Sequence, residues 1–185
     1  ICWSLVGSEM CIRDRLSIAV VDYGCGNIHS ATKALELAVN ETNINGSVVL
    51  TRDPEKIIQA DKLILPGVGA FESCIKKLKK IDGLKESLDE AALKLAKPIL
   101  GICIGLQLMS TMSFEGGKHK GLNWIEGDVI PLDPGNNILK VPHMGWNEIN
   151  IERSHPVFTK LEDKDFYFVH SFRFSPKSSE SVISS

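Results

Sequence analysis

The 185 residues carry 21 Lys and Arg against 23 Asp and Glu, a net charge of −2 that gives no electrostatic case for nucleic acid. No apolar run approaches the ~20 residues of a membrane helix, and the length suits one domain with a sizeable core. Five cysteines, at 2, 11, 25, 74 and 103, form no C-x-x-C pair, and five histidines are scattered without metal-binding spacing. The expectation is a cytoplasmic protein with reduced thiols, no metal and no cofactor.

Residues 1–15 fit nothing that follows and resemble a translated sequencing-adapter read-through. They are expected to be a non-native arm and are left out of the fold argument. Ser17 to Asp22 is a continuous apolar run, a first buried strand. It ends in the turn Tyr23-Gly-Cys-Gly-Asn27. A helix follows, with Ile28, Ala31, Leu35 and Ala38 on one face. Gly24-x-Gly26 after a strand invites a dinucleotide-binding reading, but His29 stands where the third glycine would fall. Ser47–Thr51 is a second strand. Asp53-Pro54 reads as an N-cap with proline at the first helical position. Asp61–Leu65 is a third strand, stopping at Pro66-Gly-Val-Gly69. Two helices follow, over about 70–80 and 83–96, the second with Leu84, Leu88, Ala91 and Leu95 on a core stripe. Cys74 falls in the first, as core.

Ile99–Ile102 reads as a fourth buried strand, and Ile104–Met112 as a helix. Cys103 sits between them, flanked by Gly101 and Gly105. This is Gly-x-Cys-x-Gly at a strand-to-helix turn, the cysteine form of a nucleophile elbow. A nucleophile on such a turn projects its sulfur clear of the backbone, and the N–H groups opening a helix favour a thiolate. The order β-α-β-α-β-α-α-β-α implies a parallel sheet covered on both faces. Ligands then bind at the carboxyl ends of the strands, where three glycine-bearing turns converge: 23–27, 66–69 and 101–105. After Glu115 the pattern changes. Gly127–Leu132, Ile138–Val141, Glu148–Ile151 and Asp165–Phe174 read as short strands, suggesting antiparallel additions. Pro142–Asn147 reads as a packed turn, and Val182-Ile183 as the opening of a strand.

Pro-Gly-Val-Gly at 66–69 and Gly-Ile-Cys-Ile-Gly-Leu-Gln at 101–107 resemble the class I glutamine amidotransferases. Asp-Tyr-Gly-Cys-Gly-Asn at 22–27, Pro-His-Met-Gly-Trp-Asn at 142–147 and Tyr-Phe-Val-His-Ser-Phe at 167–172 narrow the resemblance to one branch. That branch is the glutaminase subunits of imidazole glycerol phosphate synthases, in histidine biosynthesis. The resemblance implies a flavodoxin-like α/β fold: a mostly parallel sheet, helices on both faces and added antiparallel strands. It implies that residues 16–185 are the amidotransferase domain, truncated at the C-terminus.

By the same resemblance Cys103 is the nucleophile, and the backbone N–H groups of Ile104 and, once its loop rearranges, of Val68 hold the oxyanion. Gly69, Gln107, Glu115, Ser171 and Phe172 fall where the family contacts glutamine. Phe172 departs from the family's usual tyrosine, at a contact expected to be through backbone. Asn27 and Trp146 fall on the surface facing a cyclase subunit, the expected heterodimer partner. The family's catalytic histidine and glutamate lie in a Gly-x-Gln-Phe-His-Pro-Glu stretch. None occurs among the 185 residues, so the chain is expected to stop about 40 residues short and to be inactive as given. His170 matches a different family position and is read as structural. Three alternatives stay open. They are an amidotransferase of another pathway, an inactive fragment acting as a binding module, and a nucleotide-binding oxidoreductase on the Gly24-x-Gly26 turn.

Overall fold

The computed structural model describes residues 15–135, 140–159 and 161–185. Residues 1–14 of the expected arm lie outside the described residues, as do Ile138 and Leu139 of the expected fourth-to-last strand. The chain forms two compact units, Ile1–Leu108 and Met109–Ser185.

The first unit runs β1 (Leu16–Val21), α1 (Ile28–Glu41), β2 (Gly46–Thr51), α2 (Pro54–Gln59), β3 (Lys62–Gly67), α3 (Phe71–Lys80), α4 (Leu84–Asp89), β4 (Ile99–Cys103) and α5 (Ile104–Leu108). The four strands pair in the order β2-β1-β3-β4, all parallel. This is a flavodoxin-like α/β arrangement. Successive strand residues point to opposite faces. Ile18, Val20 and Ile64 form one buried face, with Leu16, Val48 and the α1 residues Leu35 and Val39 packed on it. Ala19, Val21, Leu63 and Leu65 are buried on the other. Two helix starts are capped by side chains, the second as its residues predict. Asn27 Oδ1 accepts from the Ser30 N–H. Asp53 Oδ1 accepts from the Glu55 N–H, with Pro54 opening α2.

Several elements differ from the sequence expectation, each for a local reason. In α1 the stripe uses Val39, not Ala38, which is exposed. Leu84, Leu88 and Ala91 are fully buried, but Leu95 is 48% exposed. A π turn over Glu90–Lys94, with the Leu95 N–H bonded to the Glu90 carbonyl, adds one residue to the turn and rotates Leu95 off the stripe. β4 is the edge of its sheet, so Leu100 and Ile102 are exposed rather than buried. The helix after Cys103 ends at Leu108, not Met112.

The second unit holds a four-stranded sheet, β10-β7-β5-β6, from β5 (Met112–Ser113), β6 (His119–Lys120), β7 (Gly127–Pro131) and β10 (Phe172–Pro176). β7 pairs antiparallel with β10 and parallel with β5. A separate antiparallel pair joins β8 (His143–Glu148) to β9 (Asp165–His170). The stretch expected as a packed turn is therefore strand β8. Of the strand expected over 148–151, Glu148 ends β8 and Ile151 forms one bridge with Ser184. The expected 165–174 strand breaks at Ser171 and crosses from one sheet to the other. Among the described residues no helix is long and apolar enough to cross a membrane.

Candidate active site

Cys103 is the last residue of β4 and stands immediately before α5. Its φ is +54°, a left-handed value that a non-glycine side chain rarely holds. Such strain persists only where the surroundings over-determine it, and here glycines let backbone close in from two sides. A Cβ on Gly105 would lie 1.7 Å from the Leu65 carbonyl oxygen. One on Gly67 would lie 2.7 Å from the Gly105 nitrogen and 2.9 Å from the Ile104 Cβ. Gly67 is in register with Cys103 across β3 and β4. The thiol is exposed at this junction, whereas Cys25 and Cys74 are buried. α5 has only five residues, so what it offers Cys103 is the N–H groups of one helical turn rather than a long dipole.

The other first-unit candidates gather at the same carboxyl edge. Ile104 and Gln107 are buried in α5. Val68 and Gly69 follow β3 directly, Val68 exposed and Gly69 at φ +112°. Asn27, Val68 and Gly69 line one cavity of about 570 Å³, together with Cys25, Ser73 and Lys77. The 23–27 turn closes on the 66–69 turn: a Cβ on Gly26 would lie 3.1 Å from the Gly67 nitrogen. So the glycine turns of three strand ends do meet, as the sequence suggested.

A contact the sequence did not suggest is made by Tyr23. Its hydroxyl donates to the Pro66 carbonyl at 2.6 Å, in a buried position. Burial, reinforced by the Cys74, Cys25 and Cys103 thiols, pushes this phenol far above its ordinary pKa. It stays a donor. The one available signal was a large polar-tipped aromatic directly before a glycine turn. The Cys74 thiol likewise donates to the Val68 carbonyl, at 3.5 Å.

In the second unit, Phe172 opens β10 opposite Pro131, and Ser171 accepts the Leu132 N–H at 2.9 Å. Glu115 lies two residues past Ser113 of β5, and its N–H donates to the Ser113 hydroxyl. Because Ser113 is in register with Val129, Glu115 and Phe172 lie toward the same end of this sheet. Trp146 stands on the separate β8–β9 pair, exposed and edge-on to Tyr167 at 5.6 Å. His170 bonds within its own unit. Its Nδ1 faces the Phe172 carbonyl, which only a donor can satisfy, and its Nε2 lies 3.0 Å from His143 Nδ1. Among the described residues no group of three or more His, Cys, Asp or Glu could hold a metal ion.

An exposed thiol on such an elbow can attack an electrophilic carbon, with nearby backbone N–H groups to receive the oxyanion. Residues 19–184 match the family described as "Glutamine amidotransferase class-I". The "Imidazole glycerol phosphate synthase subunit HisH" of Rhodopseudomonas palustris (strain ATCC BAA-98 / CGA009) is 45% identical over 172 residues, covering 91% of this chain and 80% of the relative. That of Rhodospirillum rubrum is 45% identical over 163 residues, covering 87% and 76%. That of Agrobacterium fabrum (strain C58 / ATCC 33970) is 44% identical over 172 residues, covering 91% and 80%. A local motif would match only around the cysteine elbow; this match takes in both units, and by it the chain belongs to the class I glutamine amidotransferase family.

Proposed function

We propose that this chain is the glutaminase subunit of an imidazole glycerol phosphate synthase, serving histidine biosynthesis. The observation that carries the chemistry is the exposed Cys103 thiol at φ +54°, in register with Gly67 and followed by Gly105, which packs on the Leu65 carbonyl. The Cys103 sulfur attacks the side-chain amide carbon of glutamine. The Val68 and Ile104 N–H groups receive the negative oxygen. The carbon–nitrogen bond breaks as the amine takes a proton and leaves as ammonia. Water then cleaves the glutamyl thioester to glutamate and restores the thiol. Gly69, Gln107, Glu115, Ser171 and Phe172 are the proposed glutamine contacts.

Ammonia passes to a cyclase subunit, for which Asn27 and Trp146 are the proposed contacts. There, with a phosphoribulosyl formimino-carboxamide ribotide, it yields imidazole glycerol phosphate and an aminoimidazole carboxamide ribotide. The leaving amine needs an acid and the thiol needs a base. The Gly-x-Gln-Phe-His-Pro-Glu stretch that supplies them in this family is not among the 185 residues. These residues alone are therefore proposed to bind without turning over. The test is ammonia release from glutamine with the cyclase subunit and its ligand present. The protein that includes the His-Pro-Glu stretch should be active and its Cys103→Ala variant silent, while the 185 residues alone should match that variant. Release by the 185 residues well above Cys103→Ala would refute the proposed inactivity.

A further inference from the structure

Two side chains hold the Pro66–Gly69 stretch from its two ends. Tyr23, 1% exposed, donates its hydroxyl to the Pro66 carbonyl at 2.6 Å. Cys74, also 1% exposed and in the first turn of α3, donates its thiol to the Val68 carbonyl at 3.5 Å. The Gly67–Val68 peptide lies between these anchors. The stretch's own side chains do little to place it. Val68 is 61% exposed, and a Cβ at Gly69 would meet nothing within 4 Å. The Tyr23 oxygen and the elbow crowd the same glycine, Gly67, from two directions. A Cβ on Gly67 would lie 2.7 Å from that oxygen, the same distance as from the Gly105 nitrogen.

We propose that Tyr23 is a positioning residue for the glutaminase reaction, fixing through the Pro66 carbonyl the peptide that carries the Val68 N–H, with Cys74 as the second anchor. The inference rests on the reading of Val68 as an oxyanion donor. Such a donor must lie about 2.7–3.1 Å from the oxygen that becomes charged, and a 1 Å misplacement can cost about 10²-fold in rate. Tyr23 is buried with its hydroxyl against Pro66 and Gly67, and acts on the donor alone. Its loss should therefore reduce kcat and leave the KM for glutamine nearly unchanged. Because the buried phenol keeps its proton, the loss should be the same at every working pH.

The experiment compares the unsubstituted protein with its Tyr23→Phe, Cys74→Ala and Cys74→Ser variants. Each carries the complete amidotransferase domain, with cyclase subunit and ligand present. Tyr23→Phe should lower kcat about 10–100-fold with KM within about twofold, by one factor from about pH 6 to 9. Cys74→Ala should lower kcat, and Cys74→Ser, which keeps a donor, should recover most of it. Amide hydrogen exchange should rise at residues 67–69 in Tyr23→Phe while the β1 and β2 amides stay protected. Unchanged kcat and unchanged exchange in Tyr23→Phe would overturn the proposal. A fall in kcat accompanied by a raised KM, slower Cys103 alkylation and general loss of protection would overturn it too, leaving Tyr23 as fold support. An unsubstituted complex that releases no ammonia would defeat the functional reading instead, and the exchange data would still say whether Tyr23 holds the stretch.

Discussion

At the scale of single residues, the site is built by what is missing around Cys103 as much as by Cys103 itself. The Leu65 carbonyl oxygen occupies the space a Gly105 side chain would need, 1.7 Å from its ideal Cβ. Backbone cannot swing aside as a flexible side chain can. Gly105→Ala should cost about 3 kcal/mol, the upper end for overpacking, and lower the thermal midpoint by about 6–12 °C in a chain of this size. A midpoint within 2 °C of the unsubstituted protein would mean the elbow is looser than its geometry. The same junction leaves Cys103 exposed while Cys25 and Cys74 are buried. Iodoacetamide near neutral pH, followed by peptide mapping, should label Cys103 first of the three, with Cys74 slowest. Faster labelling of Cys25 would count against the elbow.

At the scale of elements, a carboxylate ties the strand ends at the edge of the sheet opposite the site. Asp61, just before β3, accepts from the Ser17 N–H at 2.7 Å and the Ser17 hydroxyl at 2.8 Å, joining β3 to β1. The Ser17 N–H, then its hydroxyl, hold the Asp61 carboxyl below its ordinary pKa. A carboxyl with a lowered folded pKa stabilises above its unfolded value, near 3.9, and loses that contribution as pH falls through the folded value. Asp61 is exposed, so solvent screens most of the effect. Asp61→Asn should destabilise by at most about 1 kcal/mol at pH 7. Urea titrations at pH 7 and pH 3 should show the gap closing at the lower pH. A gap that widens in acid would reverse the assignment.

At the scale of the whole molecule, the family match runs through both units, and the second unit presents the surface proposed for a partner. Met144 and Trp146 of β8 and Tyr167 and Val169 of β9 share one face, all exposed. Trp146 is 71% exposed and contacts Tyr167 edge-on, so the fold draws little from it. Trp146→Ala should change stability by no more than about 0.5 kcal/mol yet weaken binding of the cyclase subunit about 10-fold or more, as loss of an interface tryptophan commonly does. Calorimetric titration of the complex checks this. Undiminished affinity would remove Trp146 from the interface.

β1 and β3 were legible in the sequence because a central strand of a parallel sheet is buried on both faces and must be apolar throughout; Ser17–Asp22 and Asp61–Leu65 have no other economical reading. Cys103 was legible because a strained turn selects its neighbours, and Gly-x-Cys-x-Gly records that selection locally. β8 was not legible, because its pattern is inverted. Its large apolar residues Met144 and Trp146 are exposed, while the polar His143 and Asn147 share the opposite face and bond to each other at 3.0 Å. Leu95 was misplaced because one π turn shifts the helical phase without a residue signature. The Tyr23 bond to Pro66 spans 43 positions. No periodicity or motif encodes a contact of that range; it exists only once β1 and β3 lie side by side and bring the 23–27 and 66–69 turns to one edge.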